Sequence, residues 1–295
     1  MAHCFLMKQR VALLAVALVL LGGGAYWLLH DDGRAIPSTP SAGAPPVGSC
    51  WQIDAGGTNA AFPWPGAPVD CAGSHTVEVF HVGQVGKDLL HRLDAAEGED
   101  VKLTENLLYA QARRACLVRG PMFLGGGWHE ARVQILASWV KPSADGFFGC
   151  ALAEVTGPTA DEFVTRSGSL SGALKQEPPL AIACVRRDGE RLRYVGCAES
   201  HDGEYAGVYT ITPPEAPFDE AAVRSSTAKG CTTLGLKYLG LPEDGARTDL
   251  APGSVGPKTA SEWLGSDQAF TCYLMSAKPL KASVRGLGLA PLPLA

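Results

Sequence analysis

Two short stretches of the chain carry the residue types best suited to chemistry, and they carry them at the same spacing. Residues 69–80 read VDCAGSHTVEVF and residues 195–206 read VGCAESHDGEYA. Each places a histidine four residues after a cysteine and a glutamate three residues after the histidine: Cys71, His75 and Glu78, then Cys197, His201 and Glu204. Such a set could bind zinc, act as general acid and base, or anchor a turn through a disulfide.

The spacing argues against a metal or catalytic site inside either phrase. The residues after His75 have the composition of a strand, on which side chains three apart point to opposite faces. His75 and Glu78 should therefore not reach one ion, and the same holds for His201 and Glu204. We expect each histidine to fix a turn by hydrogen-bonding the backbone. We also expect no catalytic residue, no cofactor and no bound metal.

Eight cysteines repeat in the same order, four in each part of the chain, while Cys4 stands apart near the start. An even set of cysteines in an exported protein predicts disulfides. Four cysteines allow three pairings, and in a hairpin the start of one strand lies beside the end of its partner. That geometry favours the following pairs: Cys50–Cys71, Cys116–Cys150, Cys184–Cys197 and Cys231–Cys272.

The elements around these cysteines also repeat. Residues 104–116 (TENLLYAQARRAC) and 219–231 (DEAAVRSSTAKGC) predict helices that begin at Thr104 and Asp219, residue types that cap helices. Strand-like runs that hold the fourth cysteine of each set follow them. The first copy is longer, because it contains extra residues around 86–100 (GKDLLHRLDAAEGED), which we interpret as a surface insertion.

The beginning of the chain predicts export. Residues 11–29 form an uncharged apolar run of the length that spans a bilayer as a helix. Lys8 and Arg10 precede it and place the N-terminus in the cytoplasm. A cleaved signal peptide is the alternative. We expect a single-pass protein of the cell membrane, with residues 31–46 as a Pro/Ser/Ala-rich linker and the C-terminal domains outside the cytoplasm.

Composition predicts folded domains that do not bind nucleic acid. The 295 residues are 46% hydrophobic and 19% charged, with a formal net charge of −5 that repels phosphate backbones. We expect an α+β fold: an N-terminal transmembrane helix, then two tandem disulfide-stapled domains, each an antiparallel sheet with one packed helix. The predicted boundaries are 1–30 for the cytoplasmic stub and anchor, 31–46 for the linker, 47–158 for unit one, 159–179 for the joining segment, 180–288 for unit two and 289–295 for the tail.

Several motifs in order resemble the septum formation family of actinobacterial envelope proteins. They are VGSCW at 47–51, the phrase at 69–80 and PKTASEWLGSDQAFTCYL at 257–274. The family domain shows Gly-Asp-Cys, then Val-x-Cys-x-x-Pro-His-x-x-Glu-Val, then Trp-x-x-Gly-Asp-Arg-x-x-x-Cys. This chain departs from it at five places, listed with the residues found here: Ser49 for Asp, Ser74 and Ser200 for Pro, Gly-Ser-Asp at 265–267 for Gly-Asp-Arg, and IAC at 182–184 for the Gly-x-Cys opening.

The resemblance spans most of residues 47–285 and implies two tandem copies of that domain, with no family catalytic residue to carry over. It implies a membrane-anchored, non-enzymatic binding or scaffolding module of the cell envelope in septum formation or cell division. We expect a membrane contact through 11–29 and a protein or envelope-glycan partner, for which Trp64 and Trp128 are candidate aromatic contacts in loops. The alternative is an envelope hydrolase or metal-binding enzyme with a site between the two units.

Overall fold

The computed structural model describes residues 43–54, 66–141, 146–159, 162–177, 179–213 and 216–295. All of them belong to one compact unit. The predicted membrane segment at 11–29, Cys4 and Trp64 lie outside the described residues. We refer to residues 43–177 as the N-terminal half and to residues 179–295 as the C-terminal half.

The N-terminal half is a four-stranded antiparallel sheet covered by two helices. The strand order is β1-β2-β4-β3. The elements are β1 (Cys50–Trp51), β2 (Val77–Gln84), α1 (Lys87–Ala95), α2 (Glu99–Leu124), a 3₁₀ turn (Trp128–Glu130), β3 (Val133–Val140) and β4 (Phe147–Glu154). Strand β4 is central and buried along nearly its whole length, so both of its faces are apolar. Helix α2 packs Leu108, Ala112 and Cys116 against the sheet.

The C-terminal half is a five-stranded antiparallel sheet with the order β6-β5-β7-β9-β8. The elements are β5 (Cys184–Asp188), β6 (Arg191–Val195), β7 (His201–Thr210), α3 (Glu220–Leu239), β8 (Leu250–Val255), α4 (Ala260–Leu264) and β9 (Ala269–Leu280). Helix α3 begins where the sequence predicts, because the Asp219 carboxylate accepts the backbone N–H of Ala222 at 2.9 Å. It ends at Gly240, whose positive φ lets the chain turn back.

Each half contains two disulfides, and they lie at equivalent positions in the two halves. Their pairing is the one that the sequence predicts. They are Cys50–Cys71, Cys116–Cys150, Cys184–Cys197 and Cys231–Cys272. In each half one bridge ties the long helix to a central strand of the sheet, β4 or β9. The register of the central strand pair also repeats, since an irregularity precedes the pair His81–Cys150 in β2 and β4 and the pair Gly207–Cys272 in β7 and β9. The predicted α+β class with disulfide bonds is confirmed.

The structure corrects the predicted fold class in its membrane segment. Among the described residues, no helix is both long enough and apolar enough to cross a membrane. The prediction of a fold that opens with a transmembrane helix is therefore wrong as a description of this structure.

The prediction of one packed helix per unit is also wrong. The extra residues of the first copy form helix α1, with Leu90 buried in the core, rather than a surface insertion. Helix α2 starts at Glu99, and Thr104 lies inside it, where its hydroxyl donates to the Asp100 carbonyl at 2.8 Å. In the second copy α4 adds a short second helix, which carries Trp263. An amphipathic pattern inside a presumed loop was the signal that would have revealed α1.

The two halves contact each other through backbone hydrogen bonds. On the outer side of β6, the Tyr194 N–H donates to the Thr156 carbonyl at 2.8 Å and the Leu192 N–H donates to the Thr159 hydroxyl at 3.0 Å. The Ile182 N–H donates to the Glu130 carbonyl at 2.7 Å. The N-terminal half thus covers the edge strand of the second sheet, which would otherwise expose unpaired backbone groups. The predicted unit boundaries stay a prediction.

Candidate functional site

The second repeated phrase builds a buried carboxylate site around Glu204, a fully buried residue of β7. Its Oε1 accepts the Val284 N–H at 2.7 Å and faces Nε2 of His201 at 3.2 Å. Its Oε2 accepts the hydroxyls of Tyr238 at 2.5 Å and Ser283 at 2.7 Å. A buried charge is tolerated when donors surround it in this way. Burial, followed by the bond to Glu204, raises the pKa of Tyr238.

Nε2 of His201 and Oε1 of Glu204 lie 3.2 Å apart, so both side chains lie on the same side of β7. The pairing of β7 with β9 is irregular there, because His201 pairs with Leu280 and Gly203 with Met275, so the extra residues lie on β9. The expectation that these two residues point to opposite faces is therefore wrong. Nδ1 of His201 donates to the Glu199 carbonyl at 2.8 Å, as expected for a turn-fixing histidine.

The first phrase builds the same site with fewer donors. Glu78 in β2 is buried, and its carboxylate accepts the Ser169 hydroxyl and the Leu170 N–H, each at 2.6 Å. His75 is fully buried, and its Nδ1 donates to the Gly73 carbonyl at 3.0 Å. Its Nε2 has no hydrogen-bond partner within the described part of the chain. Both histidines thus fix a turn, and only His201 contacts its glutamate.

Each glutamate is held by a short segment, which we call the clasp: residues 169–174 in the N-terminal half and 283–288 in the C-terminal half. In each clasp the serine hydroxyl bonds the glutamate and accepts a backbone N–H two residues later, from Ser171 at 2.9 Å or Arg285 at 3.2 Å. Gly172 and Gly286 both have φ of +67°. A left-handed φ of this kind favours glycine. Their N–H groups donate to the ends of α2 and α3.

Sequence reasoning missed the clasps. It placed residues 169–174 in a joining segment, although they fold against the N-terminal half. A signal was present, because Ser-Leu-Ser-Gly at 169–172 and Ser-Val-Arg-Gly at 283–286 share the serine, the apolar residue and the glycine. In both copies the apolar residue is fully buried.

Two groups of side chains have the composition of a metal site but lack free ligands. One comprises Cys50, Cys71 and Glu78, and the other Cys184, His201 and Glu204, with ligand atoms within 4.8 Å of one another. A cysteine binds metal as a thiolate, and these cysteines are bridged to each other or to Cys197. While the disulfides persist, neither group offers a metal its sulfur ligands.

A cleft of about 600 Å³ lies between the two halves. Its wall includes aromatic, cationic and polar side chains from both halves: Tyr109, Arg113, Trp128, Gln134, Tyr194 and Lys258. The Arg113 guanidinium donates to the Ile135 carbonyl at 3.1 Å, so it is fixed in the wall. Burial raises the pKa of Tyr194 to about 12. Tyr194 therefore stays a neutral phenol at physiological pH.

A three-residue contact joins the halves at one end of this cleft. Nε1 of Trp128 donates to Oδ2 of Asp267 at 3.2 Å, and Nε2 of His129 lies 2.9 Å from the same oxygen. The rings of Trp128 and His129 stack with centroids 3.7 Å apart. Burial alone would raise the pKa of Asp267, but the hydrogen bond and charge of His129, together with the Trp128 donor, lower it. Asp267 is therefore an anion that holds the halves together.

The cleft brings a histidine and an aspartate together, as the enzyme alternative requires, but without a nucleophile. The Ser266 hydroxyl donates to the Trp263 carbonyl at 3.0 Å, and the Thr271 hydroxyl to the His129 carbonyl at 3.5 Å. Among the described residues of the cleft, no hydroxyl or thiol is hydrogen-bonded to the His129 ring. Nucleophilic catalysis needs such a contact between the attacking group and its base. Sequence reasoning considered Trp128 but missed His129 and Asp267, which are 138 residues apart.

Comparison with known proteins identifies one family. A family model described as septum formation matches residues 47–272 of the 295-residue chain. The resemblance predicted from the motifs is thereby confirmed. The match runs through both halves as one span, so the prediction of two tandem copies of that domain stays a prediction. No curated protein and no solved structure matches the chain.

Proposed function

The chain belongs to the septum formation family, and from that premise we propose that it is an extracytoplasmic, non-enzymatic binding module of the cell envelope. It acts in septum formation or cell division by receiving an envelope protein or glycan in the cleft between its halves.

The disulfides support a location outside the cytoplasm. Each half has one bridge at its first strand and one between helix and sheet. Bridges of this kind persist in oxidising compartments and are rare in the cytosol. They are worth about 2–4 kcal/mol each to a small domain. A fold that depends on four of them belongs where thiols are not kept reduced.

The burial of the repeated histidine and glutamate side chains supports binding rather than catalysis. His201 and Glu204 are fully buried and hydrogen-bonded within their own half, so no substrate can reach them. Glu78 is held by its clasp in the same way. The residues whose types are best suited to chemistry therefore stabilise the fold.

The cleft is the observation that carries the proposal. Binding sites occur preferentially as concave surfaces between domains, with apolar walls and a few polar groups that orient the ligand. Tyr109 is 39% exposed at this cleft, and Lys258 and Gln134 are also exposed there. Exposed aromatic rings beside hydrogen-bonding groups suit a glycan or a peptide. The walls come from two disulfide-stapled sheets, so the surface is formed before the partner arrives.

The test is replacement of the gene by a cleft variant in the native host. The double variant Tyr109→Ala and Gln134→Ala removes two exposed groups of the cleft. The double variant Met122→Ala and Lys102→Ala is the matched control, because both residues are exposed on α2 but do not line the cleft. Thermal unfolding of each purified protein checks that it folds.

We expect the cleft variant to reproduce the division defect of a deletion strain, measured as cell length and septum spacing, and the control to behave as wild type. Normal division in the cleft variant would contradict the proposed site. Normal division in the deletion strain would contradict the role itself.

The pair His129 and Asp267 favours a second candidate, a hydrolase in which the imidazole activates a water molecule. Under that mechanism His129→Gln would abolish turnover of an envelope substrate while leaving its binding intact. Loss of binding and function together would instead favour the binding module.

A further inference from the structure

A second cavity, which we call the groove, lies between helix α3 and edge strand β8. It measures about 330 Å³. Its walls are mainly apolar and include Phe218, Val223 and Phe270, with the Cys231–Cys272 bridge below. Cavities of this size are at the lower end of those that hold a small ligand. The groove therefore fits one apolar chain or side chain rather than a bulky ring system.

Thr227 gives the groove a polar contact that the protein does not use. The residue is 3% exposed and lines the groove, and its hydroxyl has no hydrogen-bond partner among the described residues. A buried polar group without a partner costs about 1–3 kcal/mol. Most native structures avoid that cost, so an unpartnered hydroxyl in a cavity wall points to a ligand that supplies the missing partner.

The groove adjoins the cleft between the halves. Pro257 and Lys258 line both cavities, so they form the border between them. The groove is apolar, whereas the cleft presents Tyr109, Gln134 and Ser261. A ligand that fills both cavities must therefore change from apolar to polar at the level of Lys258.

Lys258 provides a cation at that border. Its side chain is exposed and makes no ion pair with any described residue. The nearby Glu262 carboxylate is engaged by backbone, because its Oε2 accepts the N–H groups of Lys258 at 2.6 Å and Thr259 at 3.3 Å. On the groove side Arg224 lies 3.9 Å from Glu220, and these two exposed charges offset each other. The ammonium group of Lys258 is thus available to an anion.

We propose that groove and cleft together bind an anionic single-chain amphiphile. Its apolar chain lies in the groove, the ester oxygen that joins chain to head accepts the Thr227 hydroxyl, its anion lies at Lys258, and the rest of its head extends into the cleft. This inference rests on the proposed function, since it names the ligand class of the same cleft.

The test is calorimetric titration of the purified full chain with decyl phosphate, below the concentration at which it forms micelles. Decanol tests the same chain with a small neutral head, and inorganic phosphate tests the anion alone. We expect one decyl phosphate per protein, binding about threefold tighter than decanol, the effect of one partly exposed ion pair. Inorganic phosphate should bind at least tenfold more weakly, because it buries no apolar surface. Equal affinity for the two decyl compounds, or no binding of decyl phosphate, would overturn the proposal.

Variants locate the ligand. Lys258→Gln should remove the threefold preference for the phosphate head and leave the affinity for decanol unchanged. Ala228→Phe, at the mouth of the groove, should lower the affinity for both decyl compounds about tenfold or more. Lys229→Gln is the matched control, an exposed lysine of α3 that lines neither cavity. Thermal unfolding separates ligand loss from misfolding. Unchanged affinities in Ala228→Phe would place the chain elsewhere and overturn the proposal.

The two proposals fail in different ways. If Tyr109→Ala with Gln134→Ala impairs division but decyl phosphate does not bind, the cleft is functional and the ligand class is wrong. If decyl phosphate binds as described but the cleft variant divides normally, the amphiphile site exists and the proposed role of the cleft is wrong.

Discussion

The two halves bury equivalent glutamates, and they satisfy them to different degrees. Glu204 receives hydrogen bonds from two hydroxyls and a backbone N–H and also contacts His201. Glu78 receives one hydroxyl and one backbone N–H. The serine and the backbone N–H are common to both clasps. The difference therefore lies in side chains outside the clasp.

Two positions account for the difference. Phe123 and Tyr238 are equivalent, because each directly precedes a buried leucine and the glycine that ends its helix. The N-terminal half therefore has a ring without a hydroxyl where the C-terminal half has a hydrogen-bond donor. His201 lies at the start of β7 and reaches its glutamate, while Nε2 of His75 has no partner in the described chain. Two copies of one scaffold can thus keep a buried carboxylate with quite different numbers of donors.

The largest effect should come from the glutamates themselves. Glu204→Gln removes the charge that organises the His201 contact, and we expect a loss of about 3 kcal/mol in the free energy of unfolding, as for a broken buried pair. Glu78→Gln should cost about 1–2 kcal/mol, because it weakens only two charge-assisted bonds. Urea denaturation measures both.

Glu243→Gln serves as the control, an exposed carboxylate that should change stability by less than about 0.5 kcal/mol. A loss for Glu78→Gln equal to or above that for Glu204→Gln would refute the comparison between the halves.

A smaller effect should come from exchanging the helix-end rings. Tyr238→Phe deletes one hydroxyl that donates to Glu204. We expect the free energy of unfolding, measured by urea denaturation, to fall by about 1–2 kcal/mol. Phe123→Tyr offers Glu78 the equivalent donor, so it should be neutral or stabilising by up to about 1 kcal/mol. A clear destabilisation by Phe123→Tyr would show that the two positions are not geometrically equivalent.

The smallest effect concerns alkaline pH. The pKa of Tyr238 is raised in the folded protein, so its hydrogen bond contributes fully below the ordinary tyrosine value of 10.0 and is lost as pH rises through the folded-state pKa. The stability gap between wild type and Tyr238→Phe should therefore be constant from pH 7 to about 9 and shrink above 10. Urea denaturation across this range tests it, and a gap that widens above pH 10 would contradict the assigned donor.

Much of the scaffold follows from local chemistry in the sequence. The disulfide pairing follows from the order of cysteines in a hairpin, and the start of α3 from Asp219 as a cap. The start of α2 does not follow, because Thr104 has the type of a cap yet lies within a helix that starts at Glu99. Cap residues are common in helix interiors when the hydroxyl can bond the preceding turn.

The site was less predictable, because its contacts join distant parts of the chain. Strand alternation gave the wrong orientation for His201 and Glu204. Strand β7 is irregularly paired at His201, and that irregularity depends on the residues of β9 opposite it, not on β7 alone. Ser283 and Ser169 reach glutamates 79 and 91 residues away. His129 and Asp267 meet only after both sheets have formed. Hydrophobic periodicity describes the faces of single helices and strands, and it contains no information on contacts between residues far apart in the chain.

The clasps also set an order for biosynthesis. Domains generally fold from the N-terminus during synthesis, and the N-terminal half has its serine for Glu78 as soon as residue 169 is made. Glu204 must wait for residues 283 and 284. A chain truncated shortly before residue 283 would have one completed half and one buried glutamate without its clasp.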